Sequence, residues 1–352
     1  MRQRYRARSA RALKPWPGRA VTRLSDPPTR QNSSPVPPLL IVGCGRIVEF
    51  AHAPALAGNA QAEVIGLVDP APERRAAIAR LLTQREMGAV GYTSLADAPV
   101  MDSIVLVAVP SHLRAGIVIS LLNEAQGVVV EKPLAIQAAE AQSILDVART
   151  RHRHLVPVHN WRYDPAMRRL AELCASGRLG VVRHIRYDHH MMQPLRGAWP
   201  ANPDWREQVA GGCVADLAYH ACYLAEEVSG QAIIESRCLA RRWDDGVLVA
   251  AEVLLRGDDG VRGEVHVRWE APGPCFRVRV AGDDGTAVAG DDGTVTVRRK
   301  EHAWTERHSA GFPVAYSAFY RQVLKQVRER PTYEDAMRAV RVSRLLEDAV
   351  AS

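Results

Sequence analysis

The chain has 352 residues, enough for two domains of ordinary size. Apolar residues make up 47% and charged residues 24% of it, as in water-soluble globular proteins, and no apolar run approaches the length of a membrane span. The formal net charge is +7, but residues 1–38 carry a net charge of +8 and the remainder a net charge of −1. Neither a nucleic acid nor a membrane is therefore indicated as a partner.

Residues 1–38 are rich in arginine and proline and lack apolar periodicity, which predicts a disordered tail. An organelle transit peptide would need an amphipathic apolar face that this tail lacks. We therefore expect the tail to be dispensable. The six cysteines form no CxxC pair, so neither a disulfide framework nor a metal site is indicated, and a reducing cytoplasm is expected.

Short apolar runs alternate with amphipathic stretches in residues 39–159, which predicts βα units. The predicted strands are Leu39–Val42, Ala62–Val68, Ser103–Val109, Gly127–Val130 and His154–Val158. The predicted helices are Pro72–Leu82, His112–Glu124 and Gln137–His152. This order predicts an α/β domain of the Rossmann type, a doubly wound parallel sheet that binds a dinucleotide.

In residues 160–352 the strict alternation of strand and helix ends. Consecutive predicted strands follow one another directly, and several are separated by Asp-Asp-Gly turns. The predicted strands are Gly180–Met191, Ala232–Arg242, Val247–Leu255, Val261–Trp269 and Cys275–Ala281. The predicted helices are Pro165–Ser176, Gly212–Glu227, Val314–Arg330 and Tyr333–Ala351. We expect an α+β domain for substrate binding and oligomerisation, with an open, mostly antiparallel sheet backed by helices and C-terminal helices able to pack back on the first domain.

The face of this sheet without helices is expected to need a partner, with Val249, Val253, Val265 and Val267 as its candidate apolar residues. A homodimer or homotetramer is therefore predicted.

The first strand runs into Gly43-Cys44-Gly45-Arg46-Ile47, a glycine turn at the start of a helix. Gly43 permits the tight turn, and Gly45 lets a pyrophosphate approach the backbone. Val48 occupies the third glycine position and should push the helix off the strand. Asp69, at the end of the next strand, can accept both ribose hydroxyls of NAD and would repel the 2′-phosphate of NADP, so NAD is preferred. The alternative is that Asp69 only caps the following helix.

Glu131-Lys132-Pro133 resembles the EKP signature of the glucose-fructose oxidoreductase/inositol dehydrogenase family, Gfo/Idh/MocA. Further segments follow in that family's order: Gly43–Ile47, His52–Leu56, Val68-Asp69, Ala108–Pro110, Asn160–Tyr163 and Gly211–His220. The departures are Val48, Cys213 in place of a glycine, and Arg114 where a histidine is common.

The resemblance implies that Lys132 contacts the reacting hydroxyl and the nicotinamide ribose, that Lys132-Pro133 is a cis peptide, and that His220 is the general acid/base with Asp216 as its partner. The implied catalytic residues are thus Lys132, Asp216 and His220. The expected cofactor residues are Gly43, Gly45, Arg46, Ile47, Asp69, Pro110, His112, Glu131, Lys132 and Arg162. The expected substrate residues are Lys132, Tyr163, Trp199, Asp216 and His220.

The residue types fit this chemistry. Asp216 and His220 are spaced i,i+4 and would share one helix face, where the carboxylate would favour the protonated imidazole. The Lys132 ammonium can stabilise a developing alkoxide. Arg162 and Tyr163 could equally bind substrate or hold the domain junction.

Two further features have simple interpretations. Cys213 is interpreted as a small buried thiol rather than a nucleophile. His189-His190 is interpreted as strand surface, with at most one histidine facing the pocket.

The resulting function hypothesis is an NAD-dependent oxidoreductase that acts on a secondary alcohol or ketone of a sugar, aminosugar or cyclitol, in secondary-metabolite or cell-surface sugar biosynthesis. Trp199 and Trp205 are candidates for a wall that stacks on a sugar ring. One alternative is an NAD-dependent glycoside hydrolase of the same family, which would not consume NAD stoichiometrically. Another is a non-catalytic NAD-binding sensor, against which the intact Lys132, Asp216 and His220 argue.

Overall fold

A computed structural model describes residues 36–83, 88–191, 211–269, 271, 273 and 275–351. Trp199, Trp205 and nearly all of the N-terminal tail lie outside the described residues. Among the helices that are described, none is both long enough and apolar enough to cross a membrane.

The first sheet has six parallel strands in the order β3-β2-β1-β4-β5-β6. They are β1 (Leu39–Val42), β2 (Val64–Val68), β3 (Val90–Tyr92), β4 (Ile104–Val107), β5 (Gly127–Val130) and β6 (His154–Pro157). The connections contain a π-helical turn (Val48–His52) continuous with α1 (Ala53–Ala57), then α2 (Pro72–Thr83), α3 (Ser111–Glu124) and α4 (Ala138–Thr150).

Every residue of β1, β4, β5 and β6 is buried, as expected for a parallel sheet covered on both faces. The strand order reverses between β1 and β4, the place where such sheets bind ligands at the carboxyl ends of their strands. The Rossmann prediction is confirmed. The short β3 was not predicted because its two exposed residues leave no apolar run.

The second sheet has eight strands in the order β14-β13-β12-β11-β7-β10-β9-β8. They are β7 (Val182–His190), β8 (Ile233–Asp244), β9 (Val247–Gly257), β10 (Arg262–Arg268), β11 (Cys275–Gly282), β12 (Thr286–Gly290), β13 (Thr294–Arg299) and β14 (His302–Arg307). All neighbours are antiparallel except β7 and β10. The mostly antiparallel sheet is therefore confirmed, with three more strands than predicted.

Helices α5 (Pro165–Ala175), α6 (Tyr219–Ser229) and α8 (Glu334–Ala351) pack against one face of this sheet. A second π-helical turn, Val214–Ala218, leads directly into α6. Helix α7 (Phe312–Gln326) instead contributes aromatic side chains to the core beside β1, and α8 also packs on α4 and β6. Helix α8 therefore packs against both sheets.

The prediction that Val249, Val253, Val265 and Val267 form an uncovered apolar face was wrong. All four are at most 3% exposed, and Val253, Val265 and Val267 belong to the core beneath the helices. Side chains alternate along a strand, so the pattern identifies an apolar face but does not say which face the helices cover. The opposite face carries charged and polar side chains, among them Arg186, Asp188, Glu252, His266 and Arg268. The homodimer or homotetramer remains a prediction without this support.

Candidate functional site

The glycine turn after β1 has the shape that a pyrophosphate requires. Gly43 has a φ of +89°, and a Cβ there would lie 2.7 Å from the backbone oxygen of Ala108. A Cβ on Gly45 would find only the Arg74 guanidinium within 4 Å, at 3.8 Å, so the space beside this glycine is open. Helical structure begins at Arg46. The turn and the helix start can therefore hold the diphosphate of a dinucleotide.

Asp69 follows β2 and its carboxylate has two backbone partners. Its Oδ2 accepts from the Cys44 N–H at 2.8 Å, and its Oδ1 accepts from the Ala71 N–H at 2.9 Å. Asp69 thus ties the glycine turn to the end of β2 and holds the start of the following segment, and its role toward the ribose stays a prediction. Each carboxylate oxygen has a second lone pair, which a ribose hydroxyl could use.

Val48 was expected to push the helix off the strand. In the structure its side chain is fully buried in the core, and it begins the π-helical turn.

Lys132 and Asp216, 84 residues apart, form an ion pair at the carboxyl end of β5. Lys132 Nζ donates to Asp216 Oδ1 at 2.6 Å and to the Asp216 backbone oxygen at 3.0 Å. The side chains are only 17% and 8% exposed. The expected cis peptide between Lys132 and Pro133 is present. A buried ammonium is thus held in place by a carboxylate, with part of its surface still accessible.

His220 lies in the same site, but its surroundings differ from the expectation. Asp216 belongs to the π-helical turn and His220 to the first turn of α6, so an ideal α-helical i,i+4 spacing does not apply. Burial lowers the pKa of His220 well below its usual value, and the charges of Lys132 and His189 lower it further. The Asp216 carboxylate only partly opposes this. Asp216 therefore favours the protonated form of His220, as expected, but desolvation outweighs this single carboxylate.

His189 is an additional member of the site. It is 8% exposed, and its ring centroid lies 6.0 Å from that of His220. Burial lowers its pKa to about 3. His190 points to the other face of the sheet, where it lines a groove with charged residues. The signal in the sequence was the alternation along β7, which allows only one of two adjacent histidines to face the core.

Glu131, expected at the cofactor, directs its carboxylate into the protein. Its Oε1 accepts from His52 Nε2 and from the Tyr316 hydroxyl, both at 3.0 Å, and its Oε2 accepts from the Lys132 N–H at 3.0 Å. Burial raises the pKa of Glu131, but the hydrogen bond and charge of His52 and the charges of Lys132 and Arg114 hold it below the usual value. Glu131 therefore fixes the backbone that carries Lys132, and His52 of the His52–Leu56 segment supports it.

Arg114, noted as a departure, is a buried cation beneath the site. Its guanidinium donates to the Val109 backbone oxygen at 2.7 Å and to the Pro133 backbone oxygen. It therefore connects the end of β4 to the cis-proline turn. Pro110 precedes α3, and His112 is exposed in its first turn.

Arg162 and Tyr163 lie at the junction of the two sheets. Arg162 forms ion pairs with Glu227 at 2.8 Å and with Asp335. Tyr163 packs edge-on against Phe319, with ring centroids 5.5 Å apart. These contacts favour the junction role over substrate binding. Cys213 is fully buried and burial raises its pKa, as expected for a packing thiol.

Two family models match this chain. Residues 39–159 match the oxidoreductase family with an NAD-binding Rossmann fold, named GFO_IDH_MocA, and residues 167–288 match the GFO/IDH/MocA C-terminal domain.

Among curated proteins, the rabbit trans-1,2-dihydrobenzene-1,2-diol dehydrogenase (Oryctolagus cuniculus) is 32% identical over 157 residues, 44% of this chain and 45% of that protein. The match thus spans less than half the length of this relative. The dTDP-3,4-didehydro-2,6-dideoxy-alpha-D-glucose 3-reductase of Actinomadura kijaniata is 24% identical over 64% of this chain and 66% of its own. Among solved structures, GenD2 from gentamicin A biosynthesis, in complex with NAD, has a TM-score of 0.76 at 24% identity and covers 92% of this chain and 96% of its own.

Proposed function

We propose that this chain, which belongs to the GFO/IDH/MocA family of NAD-binding oxidoreductases, interconverts a secondary alcohol and a ketone on a sugar, an aminosugar or a cyclitol. The observation that carries the proposal is the Lys132–Asp216 ion pair, 2.6 Å long and largely buried, at the carboxyl end of the parallel sheet and beside His220. Binding sites in such sheets lie at these strand ends.

The proposed cofactor is NAD, which supplies or takes up the two electrons of the reaction. Its diphosphate would lie against Gly43, Gly45 and the helix start at Arg46 and Ile47, and its ribose would bond to Asp69. The open space beside Gly45 and the position of Asp69, hydrogen-bonded to the glycine turn through Cys44, support this placement.

Lys132 would donate a hydrogen bond to the reacting oxygen. Its ammonium stabilises negative charge on that oxygen, and Asp216 keeps the ammonium in position. His220 would exchange the proton with the same oxygen, as the third member of this group. Glu131 and Arg114 act from beneath, because they hold the backbone on either side of Lys132 and Pro133.

The biological setting that we propose is sugar assembly in secondary metabolism or at the cell surface. The Actinomadura relative supports this setting, since its name describes a reductase for a nucleotide-linked deoxysugar.

The experiment is a spectrophotometric assay at the NADH absorbance maximum, with purified full-length chain, NAD or NADP, and a panel of cyclitols, hexoses and aminosugars. We expect stoichiometric NAD reduction with at least one member, and loss of that activity in Lys132→Ala. Release of an aglycone from a glycoside without net NAD reduction would instead support hydrolysis. Cofactor binding with no turnover of any panel member or its ketone would contradict the enzyme proposal.

A further inference from the structure

The hydrogen-bond partners of the two buried histidines of the site, His189 and His220, indicate which ring nitrogen of each carries the proton. Nδ1 of His220 lies 2.8 Å from the Tyr223 hydroxyl, and Nδ1 of His189 lies 2.9 Å from the Tyr187 hydroxyl. Among the described residues, none hydrogen-bonds to Nε2 of either ring. Burial lowers the pKa of both, so each imidazole is neutral near pH 7 and carries one N–H. The nitrogen that holds this proton decides whether Nε2 is a donor or an acceptor.

Tyr223 settles the choice for His220. The Tyr223 hydroxyl is fully buried and already accepts a hydrogen bond from the Trp161 N–H at 3.3 Å. In the described part of the chain, His220 Nδ1 is its one remaining partner. The phenolic proton needs an acceptor, so it is donated to Nδ1. The imidazole proton of His220 is therefore on Nε2.

Tyr187 settles the opposite choice for His189. The Tyr187 hydroxyl lies 2.9 Å from His189 Nδ1 and 3.3 Å from the backbone oxygen of Leu217, which can only accept. We infer that it donates its single proton to Leu217, because this arrangement satisfies both contacts. Its oxygen can then only accept from His189, so Nδ1 of His189 carries the N–H. Nε2 of His189 is left with a free lone pair.

We propose that the site holds these two imidazoles in opposite tautomers, with His220 Nε2–H as a hydrogen-bond donor and His189 Nε2 as an acceptor, and that the pair recognises an α-hydroxyketone. A carbonyl oxygen can only accept, and it matches His220. A hydroxyl on the adjacent carbon can donate, and it matches His189. The ring centroids are 6.0 Å apart, a separation that two neighbouring oxygens can bridge. The substrate half of this inference rests on the proposed function; the tautomer half does not.

The tautomer of His220 also assigns a role to Tyr223 as a positioning residue. To accept a proton on Nε2, His220 must carry its imidazole proton on Nδ1 instead. This requires the Tyr223 hydroxyl to turn its own proton away from Nδ1. Before substrate binds, His220 therefore offers an N–H donor, which suits the oxygen of a ketone.

The test of the tautomers is long-range ¹⁵N–¹H NMR of the full chain labelled at histidine nitrogens, near pH 7.5 and without cofactor. His220→Gln and His189→Gln identify the two spin systems by loss of signal. We expect a protonated Nε2 and an unprotonated Nδ1 in His220, and the reverse in His189. The same tautomer in both rings, the reversed assignment, or a charged ring would overturn the inference.

A matched pair of tyrosine variants tests the cause. Tyr223→Phe should move the His220 Nδ1 signal toward the shift of an imidazole nitrogen without a hydrogen bond. Tyr219→Phe removes an equally buried hydroxyl from the same helix, but that hydroxyl bonds to His159 Nε2 at 3.0 Å. It should leave the His220 signals in place. Equal shifts of His220 in both variants would contradict control by Tyr223, and the wild-type spectrum remains decisive if either variant fails to fold.

The recognition half is tested by binding to the NADH-loaded chain, with 2-hydroxycyclohexanone and cyclohexanone as probes. We expect the hydroxyketone to bind about tenfold more tightly, since one buried hydrogen bond is gained. His189→Phe should abolish this difference, and His190→Phe, on the other face of β7, should retain it. Equal or absent binding of the two probes would overturn recognition. Neither this measurement nor the NMR experiment depends on turnover, so failure here is distinct from failure of the proposed activity.

Discussion

The two glycines of the cofactor turn should respond to alanine in opposite ways. A methyl group at Gly43 would lie 2.7 Å from the oxygen and 2.9 Å from the carbon of the Ala108 carbonyl, and the backbone φ is +89°. A methyl group at Gly45 would meet no atom closer than 3.8 Å. Gly43→Ala should therefore disturb the fold, whereas Gly45→Ala should disturb only what binds in the open space.

The cost of Gly43→Ala has two parts. A non-glycine residue at positive φ costs about 1–2 kcal/mol, and an overpacked contact with immobile backbone costs about 1–3 kcal/mol more. At a few degrees per kcal/mol, we expect the melting temperature to fall by roughly 5–15 °C. Gly45→Ala should leave the melting temperature within about 2 °C of the wild type and weaken NAD binding at least about tenfold, or 1.4 kcal/mol.

The assays are differential scanning fluorimetry without ligand and fluorescence titration with NADH. Wild-type affinity in Gly45→Ala would show that the diphosphate does not lie beside this glycine. An unchanged melting temperature in Gly43→Ala would show that the strand end and the Ala108 carbonyl are not as close as described.

Four further outcomes are expected. His220→Ala should lower kcat by roughly two to four orders of magnitude with little change in NAD affinity, because the cofactor does not need the imidazole; near-normal turnover would refute its role. Asp69→Ala should narrow the preference for NAD over NADP in parallel titrations, and a wild-type preference for NADP would refute the assignment. A chain that begins after residue 38 should keep its melting temperature and NAD affinity, and loss of either would make the tail part of the fold. Burial lowers the pKa of His159 to about 3, so the folded state binds fewer protons than the unfolded state between about pH 3 and 6.5. The free energy of unfolding should therefore fall below about pH 6.5, by about 2 kcal/mol for this residue at roughly pH 5, and His159→Asn should reduce the slope in pH-dependent denaturation.

The parts of the fold that sequence predicts well are those whose burial is uniform. Strands β1, β4, β5 and β6 are buried on both faces and therefore appear as continuous apolar runs. Strands β12 to β14 are only five or six residues long, and threonine, histidine or charged residues occur in them beside a few apolar ones. Their pattern is close to that of a loop, which is why they were not predicted.

In the candidate site, sequence identified the residues but not their electrostatics. The motifs singled out Lys132, Asp216 and His220, and the fold brings these three together. The sign of the pKa shift of His220 could not be predicted, because it depends on the balance between desolvation and several charges. The alternation along β7 allows only one of the two adjacent histidines to face the core, but it is the packing of β7 beside α6 that makes this His189.

Two features of His220 act in opposite directions on the equilibrium between bound alcohol and bound ketone. The first is the Nε2–H of His220, which matches a carbonyl oxygen and which Tyr223 maintains. The low pKa of His220 acts in the opposite direction, because an imidazolium in this environment is a strong acid that readily returns its proton to an alkoxide and so favours the alcohol. An enzyme cannot change the equilibrium between free alcohol and free ketone, but it can change the equilibrium between their bound forms. We therefore expect Tyr223→Phe, which frees Nδ1 of His220 and removes the preference for a carbonyl oxygen, to shift the bound equilibrium toward the alcohol. A bound equilibrium that this variant leaves unchanged in rapid-quench measurements would contradict the link between tautomer and direction.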